Sequence, residues 1–522
     1  MQRAGAKAPV ARIMLRFLVV LFLFAAPSAR AQDAFTELLS GLAGGFAQQA
    51  ETVQRLGLLG DQRALPYLRA LGDTRLLRGP DNTLVVSPDQ PPPGSDVIRI
   101  NNRVRGALRG ALGRLQLSST DPNERLVAAE AMLRNRSAED IPLLEAALGR
   151  ETEARIRDRL ALALGGARLA ADDPATKRIG ILALGKSTSP EARALLLQAR
   201  AASPELETEF AAAIASIDQR LALRRAAELA FQGLSLGSVL MLAALGLAVT
   251  FGVMGIINMA HGEFVMLGAY ATFVVQELCR GIPWLAPWSL PLSVPVAFLV
   301  TALIGAAMER GLIRFLYGRP LETLLLTFGF GMVLQQVVRL IFGAQNREVI
   351  SPPWMQGTLV LPGEITITQN RAWIILFALF VLLATLAAIR LTRFGLEMRA
   401  VVQNRRIAAT MGIRTGRVDA MTFAFGSGIA GLAGVALSQI DNVSPNLGTG
   451  YIIDSFMVVV FGGVGSLMGT LVGAFTLGLF NKLLEPYAGV VLAKVAVLVA
   501  IMIFIQRRPK GLFALKGRAA DQ

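Results

Sequence analysis

From residue 229 to residue 506 the chain repeats one feature: apolar stretches long enough to cross a lipid bilayer, separated by short polar loops. Nine are readable, near 229–250, 258–276, 291–315, 322–343, 371–390, 419–440, 452–464, 466–483 and 487–506, the seventh short and glycine-flanked. Lipid offers no partner to a backbone N–H or C=O, so this pattern restricts the C-terminal part to a bundle of helices. Charge marks where the constraint begins. Residues 229–522 carry 33 charged side chains in 294 positions, whereas residues 32–228 carry 51 in 197, roughly the quarter usual for soluble proteins. With one cysteine, Cys279, and one histidine, His261, the chain has no disulfide scaffold and little for a protein-only zinc site or a Cys/His nucleophile pair. No catalytic residue, metal site or cofactor is expected.

Two further parts precede the apolar stretches. Residues 1–31 hold Arg3, Lys7, Arg12, Arg16 and Arg30 and no acid, with an apolar run from Phe17 to Ala26. Ala29-Arg30-Ala31 fits the small-x-small cleavage pattern, so this reads as a signal peptide that exports residues 32–228. That exported part reads as all-helical. ALPYLRALGD (64–73), DIPLLEAALGRE (140–151) and EARALLLQAR (191–200) share an apolar stripe at helical spacing. Asp121-Pro122, Asp173-Pro174, Ser189-Pro190 and Ser203-Pro204 each pair a capping side chain with a first-turn proline. The pattern suggests stacked helical hairpins resembling HEAT repeats, interrupted by a proline-rich loop over 79–96.

One motif in this part misleads. Residues 180–187, GILALGKS, match the phosphate-loop expression letter for letter. Four consecutive aliphatics, Ile181 to Leu184, continue a helical pattern, and no buried strand precedes them, so phosphate binding is not expected.

Export of 32–228 places the start of the first membrane helix outside, and nine crossings place the tail inside. Charge gives an independent check. Residues 391–418 hold six arginines (393, 399, 405, 406, 414 and 417) against Glu397, and the tail sets Arg507, Arg508, Lys510, Lys516 and Arg518 against Asp521. Short loops rich in Lys and Arg stay cytoplasmic, so both checks agree. The net charge of +15 is thereby read as an orientation signal, with no nucleic-acid partner expected.

Polar residues inside the apolar part are the functional candidates. Gly255-Ile-Ile-Asn258-Met-Ala-His261-Gly262-Glu263 interrupts it with Asn, the only His, and Glu. Composition allows two readings: a broken helix lining a cavity, or a short loop at the cytoplasmic surface. Asn258, Thr327, Gln335 and Gln439 could hydrogen-bond a small solute by residue type. The loop 391–418 has helical apolar spacing at Met398, Val401, Val402 and Ile407, which suits either docking into a partner's groove or lying on the membrane. Gly465, Gly469 and Gly473, four apart, read as helix packing, as do the small residues of 426–434. Lys494, inside the last stretch, extends to headgroups or pairs with Asp454 or Glu485.

Four blocks then carry a resemblance. LGLAVTFGVMGIINMAHGEFVMLGAY (245–270), RAVVQNRRIAATMGI (399–413), FGGVGSLMGT (461–470) and RRPKGLF (507–513) resemble, in order, the permease subunits of branched-chain amino-acid type ABC importers. The resemblance implies an all-α polytopic inner-membrane permease with a second permease subunit, two cytoplasmic ATPase subunits and a periplasmic binding protein as partners, and no ATPase site of its own. It implies that Asn258, His261 and Glu263 lie in the translocation path or hold the helix break. It also implies that Arg399, Asn404, Arg405, Arg406, Ala408, Gly412 and Ile413 form the loop that couples to the ATPase. The layout expected is signal peptide 1–31, periplasmic helical domain 32–228, permease domain 229–506 containing coupling loop 391–418, and cytoplasmic tail 507–522. An exported helical extension looks like the urea-type permease of the family, so urea is the expected solute. The rivals are a branched-chain or other amino acid, and a membrane-anchored periplasmic scaffold that transports nothing.

Overall fold

The computed structural model describes residue 35 and residues 38–79, 83–86, 96–361 and 365–513. The signal segment 1–31, most of the proline-rich stretch 79–96 and the tail charges Lys516, Arg518 and Asp521 lie outside the described residues. The chain divides into two compact units, Met1–Leu221 and Ala222–Gln522.

In the first unit short helices follow one another: α1 (Phe46–Leu59), α2 (Leu65–Gly72), α3 (Asn102–Gln116), α4 (Pro122–Asn135), α5 (Ile141–Arg150), α6 (Ala154–Leu169), α7 (Pro174–Gly185) and α8 (Pro190–Arg200). Three begin at the prolines that the sequence marks. Asp121 accepts from the Asn123 amide, Asp173 from those of Ala175 and Thr176, and Ser189 from that of Glu191, satisfying first-turn donors that the helix itself leaves unpaired. Ser203-Pro204 opens only a 3-10 turn ahead of α9 (Glu207–Met254). Successive cores run along the chain. Val53, Leu56, Leu71 and Leu108 form the first, Met132, Leu144 and Leu160 the second, and Ile181, Leu184, Leu196 and Phe210 the third. Arg125 holds the buried Glu151 carboxylate with two hydrogen bonds of 2.8 and 3.1 Å, which keeps that carboxyl below its ordinary pKa.

The all-α expectation needs two corrections. β1 (Leu76–Arg78), just before the proline-rich interruption, pairs antiparallel with β2 (Leu84–Val86) inside it and β3 (Asp96–Val97) at its end. In the second unit β4 (Thr358–Leu361) pairs with β5 (Ile365–Thr368), Thr358 opposite Thr368. The alternating Thr and Ile of 365–368 carry that strand signal, and the Glu228 carboxylate receives the Thr366 amide and hydroxyl at 3.2 and 3.0 Å. The phosphate-loop look-alike is helix: α7 runs through Gly185, and its backbone amides are spent in the helix instead of wrapping an anion.

The second unit is a bundle. After α9 come α10 (His261–Arg280), α11 (Ser289–Gly311), α12 (Pro320–Phe342), α13 (Gln369–Leu391), α14 (Arg393–Gln403), α15 (Arg405–Thr410), α16 (Thr415–Leu437), α17 (Leu447–Gly462) and α18 (Leu467–Arg507). Among the described residues six helices, α9, α11, α12, α13, α16 and α18, are long and apolar enough to cross a membrane. The nine expected stretches thus fall on eight helices. The last two lie within α18, where Gly489 at φ 76° is non-helical. The seventh is α17, whose 16 residues reach only about 24 Å, short of the roughly 30 Å hydrocarbon core. Burial separates the helices: 83% of the apolar windows of α9 and α16 is buried against 17% of those of α12 and α18. Apolar side chains on the latter face outward, as lipid-facing helices require.

Small residues let the central helices meet backbone to backbone. A Cβ added at Gly268 of α10 would sit 2.1 Å from the Gly431 carbonyl of α16, and one at Gly462 of α17 2.2 Å from the Gly469 carbonyl of α18. Gly473 likewise faces the Val458 carbonyl. Gly465 differs from its expected place on a helix: it lies at φ 80° in the turn before α18, which starts at Leu467 with Ser466 capping the Gly469 amide at 3.1 Å.

Gly268→Val is expected to cost at least about 3 kcal/mol, the upper end of overpacking, because backbone cannot yield as a side chain can. Gly329→Val, where nothing lies within 4 Å, should leave thermal stability in detergent unchanged. Lys186→Ala should leave nucleotide binding to the detergent-purified chain, expected to be absent, unaltered.

Candidate functional site

The central feature is the interruption between α9 and α10. α9 stops at Met254, Gly255 turns to φ 68° where a side chain would be strained, and helix resumes at His261. The freed backbone is satisfied locally. The Gly255 amide reaches the Phe251 carbonyl at 3.0 Å, and Asn258 uses its Oδ1 to hold the Ala260 amide at 3.1 Å. Thr327 Oγ1, on α12, receives the Met259 amide at 3.1 Å. His261 is 1% exposed, and its Nε2 lies 2.7 Å from the Ala243 carbonyl. A carbonyl only accepts, so Nε2 carries the proton and the ring latches α10 onto α9.

Three buried atoms there have no partner among the described residues: Asn258 Nδ2, His261 Nδ1 and Glu263 Oε2. That leaves one donor and two acceptors within six residues at the interruption. Glu263 faces Gly331 of α12, where an added Cβ would come within 3.4 Å of its Cγ. On α12, Thr323, Thr327, Gly331, Gln335 and Arg339 recur every four residues and line a face that winds slowly round the helix. At the far end of that face Gln335 and Arg339 both donate to Asn446 Oδ1, at 2.9 and 2.6 Å. Of the polar candidates, Thr327 and Gln335 lie on this winding stripe, and Thr327 meets the backbone next to Asn258. Gln439 does not: its side chain donates to Ser438 Oγ at the end of α16.

The basic loop folds as two helices. Asn404 caps α15 by accepting from the Ile407 amide at 3.0 Å, and Gly412 at φ 88° ends it ahead of Ile413. Met398, Val401 and Ala408 are buried against Val249, Ile389 and Val418. Ile407 and Met411 are 60% and 78% exposed, so the apolar spacing serves two faces. The arginines divide similarly. Arg399 and Arg406 are exposed, while Arg405 pairs with Asp419, whose side chain is wholly buried at the start of α16. Arg405 also lies 5.1 Å above the Tyr317 ring, and the Tyr317 hydroxyl donates to Glu309 of α11 at 2.7 Å.

Asp419, Tyr317 and Glu309 escaped the sequence reading. Their signal was an acid within an apolar helix flanked by arginines, which points to an internal partner. Lys494 does pair with Asp454, at 3.3 Å. The last two motif blocks meet: the Leu512 and Phe513 amides donate to the Phe461 and Gly462 carbonyls at 2.9 and 3.0 Å.

The family described as branched-chain amino acid transport system / permease component matches residues 229–506, which contain every residue of the interruption and the basic loop. The high-affinity branched-chain amino acid transport system permease protein LivH of Escherichia coli K12 is 30% identical over 294 residues, 54% of this chain and 93% of the relative. BraD of Pseudomonas aeruginosa PAO1, of the same description, is 28% identical over 292 residues, again 54% and 93%. The ribose import permease protein RbsC of Escherichia coli K12 is 28% identical over 124 residues, 22% of this chain and 39% of the relative. No solved structure matches. The chain belongs to the branched-chain amino acid transport system permease family.

Proposed function

We propose that this chain provides the path by which an ABC importer moves an aliphatic amino acid inward, driven by separate ATPase subunits. The observation that carries the reading is the buried interruption at 255–260 with the first turn of α10, which together hold an unpartnered donor and two acceptors and are tied to α12 through Thr327. Irregular backbone and buried polar atoms at membrane depth are tolerated where they line a protein cavity or a path for solute. The relatives support amino acids over the urea expected from the extension, since LivH and BraD are described as branched-chain amino acid permeases. Urea stays as a second reading on one observation: the helical first unit lies outside the 229–506 match.

In this reading Asn258 and Glu263 meet the solute, and His261 holds the break. The signal segment exports the first unit, and the basic loop and tail face the cytoplasm. A second permease subunit, two ATPases and a binding protein complete the importer. α15 presents Arg406, Ile407 and Met411 to the ATPase, while Arg405 works inward, tying α15 to α11 and α16 through Tyr317 and Asp419.

Radiolabelled leucine and urea uptake, with and without this chain, tests the substrate; leucine uptake that depends on the chain is expected, and urea uptake alone would transfer the assignment to the second reading. Glu263→Gln and Asn258→Ala should each lower uptake by about tenfold, the loss of one hydrogen bond of about 1.4 kcal/mol, without changing the amount in the membrane. Arg406→Glu should uncouple ATP hydrolysis from uptake with the fold intact. Arg405→Ala should instead lower thermal stability, because it strands the buried Asp419 carboxylate, and adding Asp419→Asn should restore part of that loss.

A further inference from the structure

Two cavities meet at Gln439, away from the interruption. One, of about 320 Å³, is almost wholly apolar and is lined by Leu290, Val294, Trp354, Trp373, Ile374 and Phe377 among others. The second, of about 410 Å³, is polar, and its wall includes Glu348, Ser351, Gln356, Ser438, Asp441 and Asn442. Gln439 lines both.

The polar wall is built on fixed backbone. Arg347 and Val443 exchange amide hydrogen bonds of 2.7 and 2.9 Å, which holds the segment carrying Glu348 beside the one carrying Asp441. Gln276 clamps Ile350 at both its amide and its carbonyl, at 2.9 and 2.7 Å, and Gln356 donates to the Ser351 carbonyl at 2.6 Å. Arg347, the neighbouring cation, is turned elsewhere: it donates to the Phe342 carbonyl at 2.9 Å and lies over the Phe273 ring. Among the described residues neither Glu348 nor Asp441 has a salt-bridge partner.

Gln439 adds an independent observation. Its side chain is 7% exposed, and Oε1 is buried with no partner within the protein. The Ser438 hydroxyl spends its proton on the Val435 carbonyl at 2.8 Å, so it can only accept from Gln439 Nε2, which fixes the amide with its oxygen left over. The polar wall thus holds two exposed carboxylates, and Gln439, where the two cavities meet, adds a buried amide oxygen without a partner among the described residues. A primary ammonium is the complementary group, with three N–H donors, a positive charge and no acceptor. The apolar cavity next to it suits a hydrocarbon group, between the Trp354 and Trp373 rings, which meet edge to face at 5.2 Å, and the α13 side chains.

We propose that Glu348, Asp441 and the Gln439 amide oxygen bind a primary ammonium, with the adjoining apolar cavity taking the hydrocarbon group attached to it. Urea, which is neutral and has no apolar part, does not fit. Two sources share the chemistry: a free aliphatic amine or amino acid, and an ethanolamine lipid.

The test uses the full chain with its partner subunits in phosphatidylcholine vesicles, whose headgroup has no N–H. Tryptophan fluorescence is followed as hexylamine is titrated. A saturable change is expected, with hexanol and hexyltrimethylammonium at least about tenfold weaker, because one lacks the charge and the other the donors. Glu348→Gln with Asp441→Asn, both exposed positions, should weaken hexylamine by about tenfold or more at unchanged thermal stability, and Gln439→Leu should weaken it also. Leucine that saturates the same signal assigns the site to a free solute; phosphatidylethanolamine that competes with hexylamine assigns it to lipid. No saturable response, an equal response to hexanol, or an unchanged response in the double variant overturns the proposal. Leucine uptake in the same vesicles separates the two readings. Uptake without an amine response removes only this site, and an amine response without uptake of any solute removes only the transport reading.

Discussion

A break in a buried helix is the constraint on which the rest of the bundle depends. Between Met254 and His261 the backbone leaves its hydrogen-bond ladder, and lipid offers nothing in return. Part of the rescue is local, Phe251 for Gly255 and Asn258 for Ala260; the rest ties elements together, Thr327 of α12 taking the Met259 amide and the His261 ring reaching Ala243 of α9. α9, α10 and α12 must therefore stay within hydrogen-bond reach of one another. Glycine at the crossings with α16 and α17 makes the approach possible, as Gly268 against Gly431 and Gly262 against Gly448 show.

The same packing accounts for which polar atoms are left over. Asn258 spends its oxygen on the turn and His261 spends one nitrogen on α9, so each retains a single free position. Glu263 retains Oε2 opposite Gly331, where the missing side chain leaves the carboxylate room. A polar cluster with every atom satisfied would be a lock, and one with none satisfied would not hold its shape. Here Asn258 and His261 each hold the fold with one polar atom and keep another free, while Glu263 stands against Gly331 of α12.

Periodic features were legible in the sequence. Apolar stretches announced the helices, the Asn-His-Glu run announced the interruption, and Pro after Asp or Ser announced helix starts in the first unit. Features set by tertiary contact were not. Nothing local says that Gly465 belongs to a turn while Gly469 belongs to a crossing, since both follow the same four-residue spacing. The β4–β5 hairpin was readable in the Thr-Ile alternation but was hidden by the expectation that a membrane bundle is all helix. Stretch length alone did not show that α17 is a helix of only 16 residues or that the last two stretches meet at Gly489.

The basic loop shows why composition alone undersells a residue. All six arginines of 391–418 contribute equally to an orientation signal, and as a charge count they are interchangeable. Burial makes them unequal. Arg405 reaches a carboxylate that has no solvent access, so its removal changes the energy of α16 itself; Arg406, one residue on, touches only what lies outside the chain. Two adjacent residues of one type thus differ in what they hold: Arg405 fastens the loop to α16, and Arg406 stays on the exposed surface of α15. The Arg405, Tyr317 and Asp419 contacts, with Glu309, tie the loop to both α11 and α16.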